Sequence, residues 1–324
     1  MEFTLTRPAL AQVGQTTAPP RAPSSCRLQP LRHVDAGVLN IAYYEEGPAD
    51  GPVVVLLHGF PFDIHSYVDV APLLAARGCR AIVPYLRGYG PTRFLARATP
   101  RSGEQAAIGA DLIALMDALG VSRAVLAGYD WGGRAACVAA ALWPDRCTGL
   151  VSVNGYLIQD IAKAMVPAKP EREVPFWYQY YFQLERGRAG LAANRREIAR
   201  ILWKQWSPNW HFDDATFDRT VVAHDNPDYV DIVIHSYRHR FGLADGDPQY
   251  AGLQRRLAEL PAITVPAITL DGDADGVAPA TDGTASAAKF TGRRTHHVIP
   301  RAGHNLPQEE PEAFAGAVME LVKA

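Results

Sequence analysis

The run GYDWG at residues 128–132 restricts the local fold of this chain more than any other segment. Glycines at its two ends allow a sharp turn that joins a strand to a helix and presents the central side chain at the helix N-terminus. The apolar residues 124–127 fit the strand, and a helix is predicted from Gly132 to about Leu142. The pattern predicts a nucleophile elbow centred on Asp130, although an aspartate here could also serve only as a helix cap.

The central residue of this turn is an aspartate, where esterases carry a serine. A carboxylate that attacks a saturated carbon forms an alkyl-enzyme ester, and water can hydrolyse that ester at its carbonyl carbon. A serine would form an ether, which has no such exit. We therefore expect epoxides or alkyl halides as substrates, and an ordinary serine esterase is the weakest alternative because no serine occupies the turn.

Short apolar strands alternate with helical patterns from about residue 31 onward. This alternation predicts an α/β fold, with a mostly parallel sheet that is covered by helices on both faces. One long polar and aromatic segment interrupts it. We divide the chain into a disordered tail of residues 1–30, a core of residues 31–155 and 261–324, and a helical cap of residues 156–260.

Two local patterns make more detailed predictions about the core. Residues 38–44 alternate in polarity, which is typical of an antiparallel edge strand. Ser102 and Gln105 have the spacing of a capping box, so they predict the start of a helix.

The overall charge limits the class of partner. A formal net charge of -2 leaves no basic surface for nucleic acid or for an anionic membrane, so a small neutral molecule is the expected partner. The four cysteines show no C-x-x-C spacing, which favours a reducing, cytoplasmic setting. The composition leaves a homodimer open.

The segment HGFP at residues 58–61 follows the predicted strand of residues 53–57, where an oxyanion hole is expected. The backbone N–H groups of Phe60 and Trp131 would stabilise the oxyanion that forms when water attacks the ester. We also expect both side chains to contact the substrate. His58 is interpreted as a brace for this loop and not as a base.

A histidine and an acid complete a predicted triad in the chain order nucleophile, acid, histidine. His304 lies in a loop between the last predicted strand and the C-terminal helix, and we predict that it is the base. Asp275 lies in the acidic loop after the strand of residues 267–270, and we predict that it orients His304. The loop of residues 271–282 also imitates a calcium-binding sequence, but it follows a strand and contains a proline, so no metal is expected.

Together these residues resemble the epoxide hydrolases of the α/β-hydrolase superfamily over nearly all of residues 31–324. The resemblance implies an α/β-hydrolase fold with a mostly parallel eight-stranded sheet, a helical cap and no cofactor. It also implies that Tyr178 and Tyr237 are the two catalytic tyrosines of the cap. Tyr180 and Tyr181 are close rivals for the first position, and we expect Tyr181 to contact substrate.

The two tyrosines discriminate between the candidate substrates. Opening an epoxide expels an alkoxide, which is a poor leaving group unless an acid protonates its oxygen, whereas a halide needs no proton. A dehalogenase would instead offer N–H donors to the departing anion. Trp131 could be such a donor, so its presence does not decide between the two reactions.

Arg134 departs from the epoxide hydrolase pattern and resembles the second arginine of the fluoroacetate dehalogenases. The usual interpretation of an arginine at this position is an ion pair on the helix surface. If Arg134 faces the cavity, it would bind a substrate that carries a carboxylate.

Our hypothesis is therefore hydrolysis of an apolar epoxide to a vicinal diol. The enzymatic alternative is a haloalkane or haloacid dehalogenase that uses the same triad. The alternative outside enzymology is an inactive fold of this class that serves as a ligand receptor.

Overall fold

The computed structural model describes residues 28–324. The predicted tail of residues 1–30 lies outside the described residues except for its last three positions. Leu28 is buried against the hydrophobic core, so the chain packs on the domain from this residue onward.

The described residues form one nine-stranded sheet with the order β1-β2-β4-β3-β6-β7-β8-β9, and β5 pairs with β2. Eight strands therefore form the main path, as expected from the sequence, and the two-residue β5 adds a ninth. The strands are β1 (Arg32–Ala36), β2 (Leu39–Glu46), β3 (Val53–Leu57), β4 (Arg80–Pro84), β5 (Arg93–Phe94), β6 (Ala124–Gly128), β7 (Cys147–Val153), β8 (Ala267–Gly272) and β9 (Arg294–Ile299).

The sheet is parallel from β4 across to β9, and β1 and β2 add an antiparallel edge. The central strands β3 and β6 are almost wholly buried, which agrees with their continuous apolar sequence. The prediction of an antiparallel strand at residues 38–44 is confirmed, but its placement as the outermost strand was wrong. The strand β1 covers β2, and its short polar sequence gave little strand signal.

Helices pack against the sheet as two pairs, α1 with α12 and α2 with α3. The residue before α2 is Glu104, not Ser102, so the predicted capping box was wrong. The Ser102 hydroxyl instead donates to the Glu104 carboxylate at 2.7 Å. The core helices are α1 (Val70–Ala76), α2 (Gln105–Ala118), α3 (Asp130–Leu142), α11 (Leu306–Glu309) and α12 (Pro311–Val322).

The chain between β7 and β8 folds into helices and forms the cap. The carboxyl ends of parallel strands gather loops at one edge of a sheet, and that edge is where ligands bind in such folds. The cap helices are α4 (Pro170–Glu173), α5 (Trp177–Tyr181), α6 (Glu185–Ala193), α7 (Arg195–Trp206), α8 (Asp214–Val221), α9 (Tyr229–Arg240) and α10 (Ala251–Ala258).

Within residues 28–324, no helix combines the length and apolar character that crossing a membrane requires. The cysteines of this part of the chain, Cys79, Cys137 and Cys147, are free and buried.

Candidate active site

The turn between β6 and α3 places Asp130 in a strained backbone conformation with φ of +48°. Residues other than glycine rarely adopt this region, and such strain costs about 1–3 kcal/mol and concentrates at functional sites. The glycines around Asp130 permit close packing, because a Cβ atom on Gly132 would lie 2.0 Å from the Leu57 carbonyl oxygen. On Gly59, a Cβ atom would lie 2.7 Å from the Cβ of Asp130. The local sequence thus holds the Asp130 side chain at the end of the sheet.

The Asp130 carboxylate has two polar neighbours on different oxygens. The Phe60 N–H donates to Oδ1 at 2.9 Å, and the His304 Nε2 lies 3.7 Å from Oδ2. Burial opposes ionisation of Asp130, but His304, Arg134 and the Phe60 N–H outweigh it and lower the pKa to about 2. Asp130 is therefore an anion at neutral pH, as a nucleophile must be.

His304 lies between two carboxylates. Its Nδ1 is 2.8 Å from Oδ2 of Asp275, and its Nε2 points toward Asp130. Burial lowers the pKa of His304, but the charges and hydrogen bonds of Asp275 and Asp130 raise it overall to about 10. The resting site therefore holds an imidazolium beside the Asp130 anion.

Backbone donors fix the Asp275 side chain. The N–H groups of Val277 and Ala278 donate to Oδ1 at 2.9 and 2.8 Å, which leaves Oδ2 for His304. The neighbouring Asp271 accepts from the N–H and the hydroxyl of Thr281. This loop does not gather a calcium site, and the described chain contains no group of three His, Cys, Asp or Glu side chains that could hold a metal ion.

His58 is buried, and its ring braces the loop beside Asp130. Its Nε2 accepts a hydrogen bond from the Leu86 N–H at 3.1 Å, and its Nδ1 lies 3.1 Å from the Gly59 carbonyl oxygen. Burial lowers the pKa of His58 to about 4, so the ring is neutral. Both nitrogens are engaged in the scaffold.

The two cap tyrosines come together over this site from different helices. Tyr178 on α5 and Tyr237 on α9 have ring centroids 5.2 Å apart at an angle of 89°. Burial, aided by the Asp130 charge, raises the pKa of Tyr178 to about 12 and that of Tyr237 well above its ordinary value. Both phenols are therefore protonated at neutral pH and lie within the electrostatic field of Asp130.

The hydrogen bonds of the two hydroxyls leave protons available. Gln179 Nε2 donates to the Tyr178 oxygen at 3.0 Å, so the Tyr178 O–H is free to donate elsewhere. The Tyr237 hydroxyl is buried and forms no well-aligned hydrogen bond among the described residues, and its polar neighbour is the Tyr178 hydroxyl. Both hydroxyls therefore retain a proton at neutral pH.

A cavity of about 810 Å³ opens between the cap and the core. Asp130, His304 and Tyr178 line it, as do the guanidinium-bearing residues Arg134 and Arg240. Its size suits a small organic substrate. The sequence left open whether Arg134 faces the cavity, and in the structure it forms part of the cavity wall.

Phe60 and Trp131 lie in an aromatic cluster behind this cavity. Their side chains are buried, and the Phe60 ring lies 5.7 Å from Trp131, 5.9 Å from Tyr178 and 5.4 Å from Tyr237. The side chains of Phe60, Trp131 and Tyr237 are not among those that line the cavity. Substrate contact by the first two, and the Trp131 N–H as a second oxyanion donor, stay predictions.

Tyr181 is likewise not among the side chains that line the cavity, so its contact with substrate stays a prediction. Its ring packs beside Trp177 and Phe182. Its hydroxyl lies so close to Gly190 that a Cβ atom there would be 1.9 Å away.

Comparison with known proteins identifies the fold family. Residues 52–311 match a protein family that is described as alpha/beta hydrolase fold. The chain belongs to the α/β-hydrolase family. A candidate epoxide hydrolase from Klebsiella pneumoniae has a crystal structure that is 51% identical, with a TM-score of 0.89, over 91% of this chain and 97% of that one.

Two other relatives of this α/β hydrolase carry the same name. Epoxide hydrolase A of Mycobacterium tuberculosis is 28% identical over 90% of this chain and 96% of its own length. The crystal structure of Epoxide Hydrolase A from Mycobacterium thermoresistibile shares the fold, with a TM-score of 0.69 at 23% identity over 91% of this chain and 98% of that one.

Sequence reasoning missed the polar cluster that supports the His304 loop of this α/β hydrolase. Ser207, at the end of α7 in the cap, accepts from the His304 N–H at 3.1 Å and donates to Glu309 at 2.5 Å. Glu309 also accepts from the Gly303 N–H at 2.7 Å. Burial raises the pKa of Glu309 to about 7. No spacing signal connects Ser207 with Glu309, because they are far apart in sequence.

Proposed function

We propose that this α/β hydrolase adds water to an epoxide through a covalent ester on Asp130 and releases a vicinal diol. The observation that carries the proposal is the strained Asp130 carboxylate between the His304–Asp275 pair and the two cap tyrosines. Epoxide hydrolases among the relatives support the same reaction.

In the first step, Asp130 Oδ2 attacks a ring carbon, because Oδ1 is held by the Phe60 N–H. The carbon–oxygen bond of the ring breaks, and its electron pair moves to the ring oxygen. A proton from Tyr178 or Tyr237 neutralises that oxygen, so the leaving group is an alcohol and not an alkoxide. The product of this step is a hydroxyalkyl ester.

Ester formation changes the protonation of His304. The Asp130 charge that raised the pKa of His304 is lost, so the imidazolium gives up its proton, which restores the phenol through solvent. Neutral His304, oriented by Asp275, then removes a proton from water as the water attacks the ester carbonyl carbon. The Phe60 N–H stabilises the oxyanion on Oδ1. When this intermediate collapses, the bond between the carboxyl carbon and Oδ2 breaks, and protonated His304 gives its proton to the departing alkoxide, which leaves as the diol. The carboxyl proton of Asp130 then passes to His304 and restores the resting ion pair.

The tyrosines give a direct test of the first step. Tyr178→Phe and Tyr237→Phe are each expected to slow enzyme alkylation by about 10- to 100-fold, and the double variant by about a thousandfold, because the alkoxide loses its acid. Stopped-flow or rapid-quench measurement with styrene oxide checks this. Tyr181→Phe is the matched control and should stay within about twofold. A double variant that is alkylated at the wild-type rate would contradict the role of both phenols.

The dehalogenase alternative is not favoured, because its substrate needs no proton donor and this site supplies two. A panel of haloalkanes and fluoroacetate should therefore yield no halide under conditions in which styrene oxide yields diol. Halide release at a rate that matches diol formation would favour the alternative.

The pKa directions predict a covalent intermediate that accumulates in acid. Asp130, with a pKa of about 2, stays ionised at pH 5, so alkylation continues. In the ester, His304 has lost the Asp130 charge but keeps Asp275, which still raises its pKa, so we expect the ring to be protonated at pH 5, where it cannot activate water, and to become neutral as the pH rises. Intact-protein mass spectrometry during turnover should show a larger ester fraction at pH 5 than at pH 8. Equal fractions at both pH values would contradict His304 as the base.

Compartment and assembly stay predictions. The pattern of cysteines favours a cytoplasmic setting, and the free, buried thiols of the described chain are compatible with it. Whether the chain forms a homodimer is open to measurement by light scattering.

A further inference from the structure

We infer that the substrate is an epoxide that carries a carboxylate, and that Arg134 and Arg240 bind this carboxylate in the cavity. The inference rests on the proposed function and names its substrate class. It replaces the expectation of a wholly apolar epoxide.

Arg134 presents a buried guanidinium to the cavity wall. It lies on α3 one helical turn after Asp130, and its residue is only 7% exposed. Its Nε donates to the Leu157 carbonyl at 3.3 Å, and among the described residues it forms no ion pair within 4 Å. The remaining donors of its guanidinium can therefore serve a ligand.

Arg240 approaches the same cavity from the cap. Its guanidinium lies 4.4 Å from the centre of the Tyr237 ring, at the end of α9. Its Nε and Nη2 atoms are buried and have no hydrogen-bond partner in the described part of the chain. Leaving such charged donors unpaired is costly, whereas a carboxylate can accept two parallel hydrogen bonds from one guanidinium.

The two arginines repel each other. Burial and the nearby charge of Arg240 together lower the pKa of Arg134 to about 10, although the Asp130 anion opposes this shift. Asp130 supplies one negative charge near Arg134, and the negative charge of Asp275 is already balanced by its partner His304. One more anion would balance the second guanidinium.

Two other acids line the cavity, but both are engaged. The Glu173 oxygens accept from the Ala168 N–H and from the Tyr180 hydroxyl. Asp160 forms an ion pair with Lys163 at 3.2 Å. These acids therefore do not pair with the two arginines, which leaves the anion to come from the substrate.

A matched pair of substrates tests the inference. The probes are 5,6-epoxyhexanoate and its primary amide, which differ in charge and little in shape. We expect kcat/KM of the wild type for the acid to exceed that for the amide by about 10- to 100-fold, because the amide leaves buried charged donors unpaired. Equal kcat/KM values for acid and amide would overturn the inference.

The Arg240→Met variant should lose this preference. We expect kcat/KM for the acid to fall about 10- to 100-fold through KM, while the value for the amide stays within about threefold. Arg240→Lys should retain part of the preference because it keeps the charge. Arg188→Met is the matched control, since Arg188 pairs with Asp231 outside the cavity and its loss should change neither substrate.

Arg134 also lowers the pKa of Asp130, so its variant needs a separate criterion. Arg134→Met should raise KM for the acid more than for the amide. Equal losses on both substrates would overturn the part of the inference that concerns Arg134.

A measurement on the wild type alone avoids any folding defect of the variants. The competitive inhibition constant of hexanoate should be about tenfold or more below that of hexanamide. Equal inhibition constants would overturn the inference. The two proposals fail differently. If the enzyme forms diol from the amide and shows no preference for the acid, the carboxylate inference is rejected and the epoxide hydrolase function stands. If neither probe nor styrene oxide yields diol, the proposed function itself is rejected.

Discussion

The Asp130→Ala variant is expected to lose diol formation by at least about ten thousandfold, because no other group in the elbow can form the ester. Its backbone turn should persist, since the flanking glycines and the packing of β6 against α3 remain. Measurement of diol release from styrene oxide by chromatography checks the prediction, with thermal unfolding as the check on folding.

Asp218→Ala is the matched control, because Asp218 forms an exposed ion pair with Arg196 on the cap. Exposed pairs contribute little to stability, so its activity should equal that of the wild type. An Asp130→Ala enzyme within tenfold of the wild type would contradict the nucleophile assignment.

The His304→Gln variant is expected to stop after ester formation. The substitution removes the largest influence that lowers the pKa of Asp130, but Arg134 and the Phe60 N–H still stabilise its anion, so we expect it to remain a nucleophile at neutral pH. Alkylation therefore proceeds, while hydrolysis loses its base and steady-state turnover falls by about a hundred- to ten thousandfold.

The mass of the stalled enzyme identifies the reaction. An epoxide adds without losing an atom, so the intact protein should gain the full mass of the substrate, and the tryptic peptide that contains Asp130 should carry it. His297→Gln is a suitable control, because His297 lies exposed on β9, away from the cavity. Unimpaired diol formation by His304→Gln, without an adduct, would contradict the assignment of the base.

The core of the site could be predicted because its signals are local. The glycine spacing around Asp130 requires a tight turn, and the structure contains that turn with φ of +48°. Phe60 and His304 follow strands in loops of a known order, so their approach to Asp130 follows from the topology of the sheet. Parallel strands bring their carboxyl ends together wherever these residues lie in sequence.

The cap could be predicted only in part, because helix packing decides which side chains face the cavity. Tyr178 lines the cavity, whereas its neighbour Tyr181 packs against α6. Arg240 and Glu309 escaped prediction altogether. Their importance comes from burial and from partners distant in sequence, which periodicity does not encode.

The central claim is that an Asp130 oxygen becomes part of the diol, and a single turnover in H₂¹⁸O tests it most directly. The enzyme is kept in excess over epoxide so that each molecule turns over once. Because labelled water attacks the ester carbonyl, the label should enter the Asp130 side chain, and the first diol should contain the ¹⁶O that Asp130 donated. Mass spectrometry of the diol and of the peptide that contains Asp130 reads both positions. A labelled diol with an unlabelled Asp130 would mean that water opens the ring directly, and this would contradict the covalent mechanism.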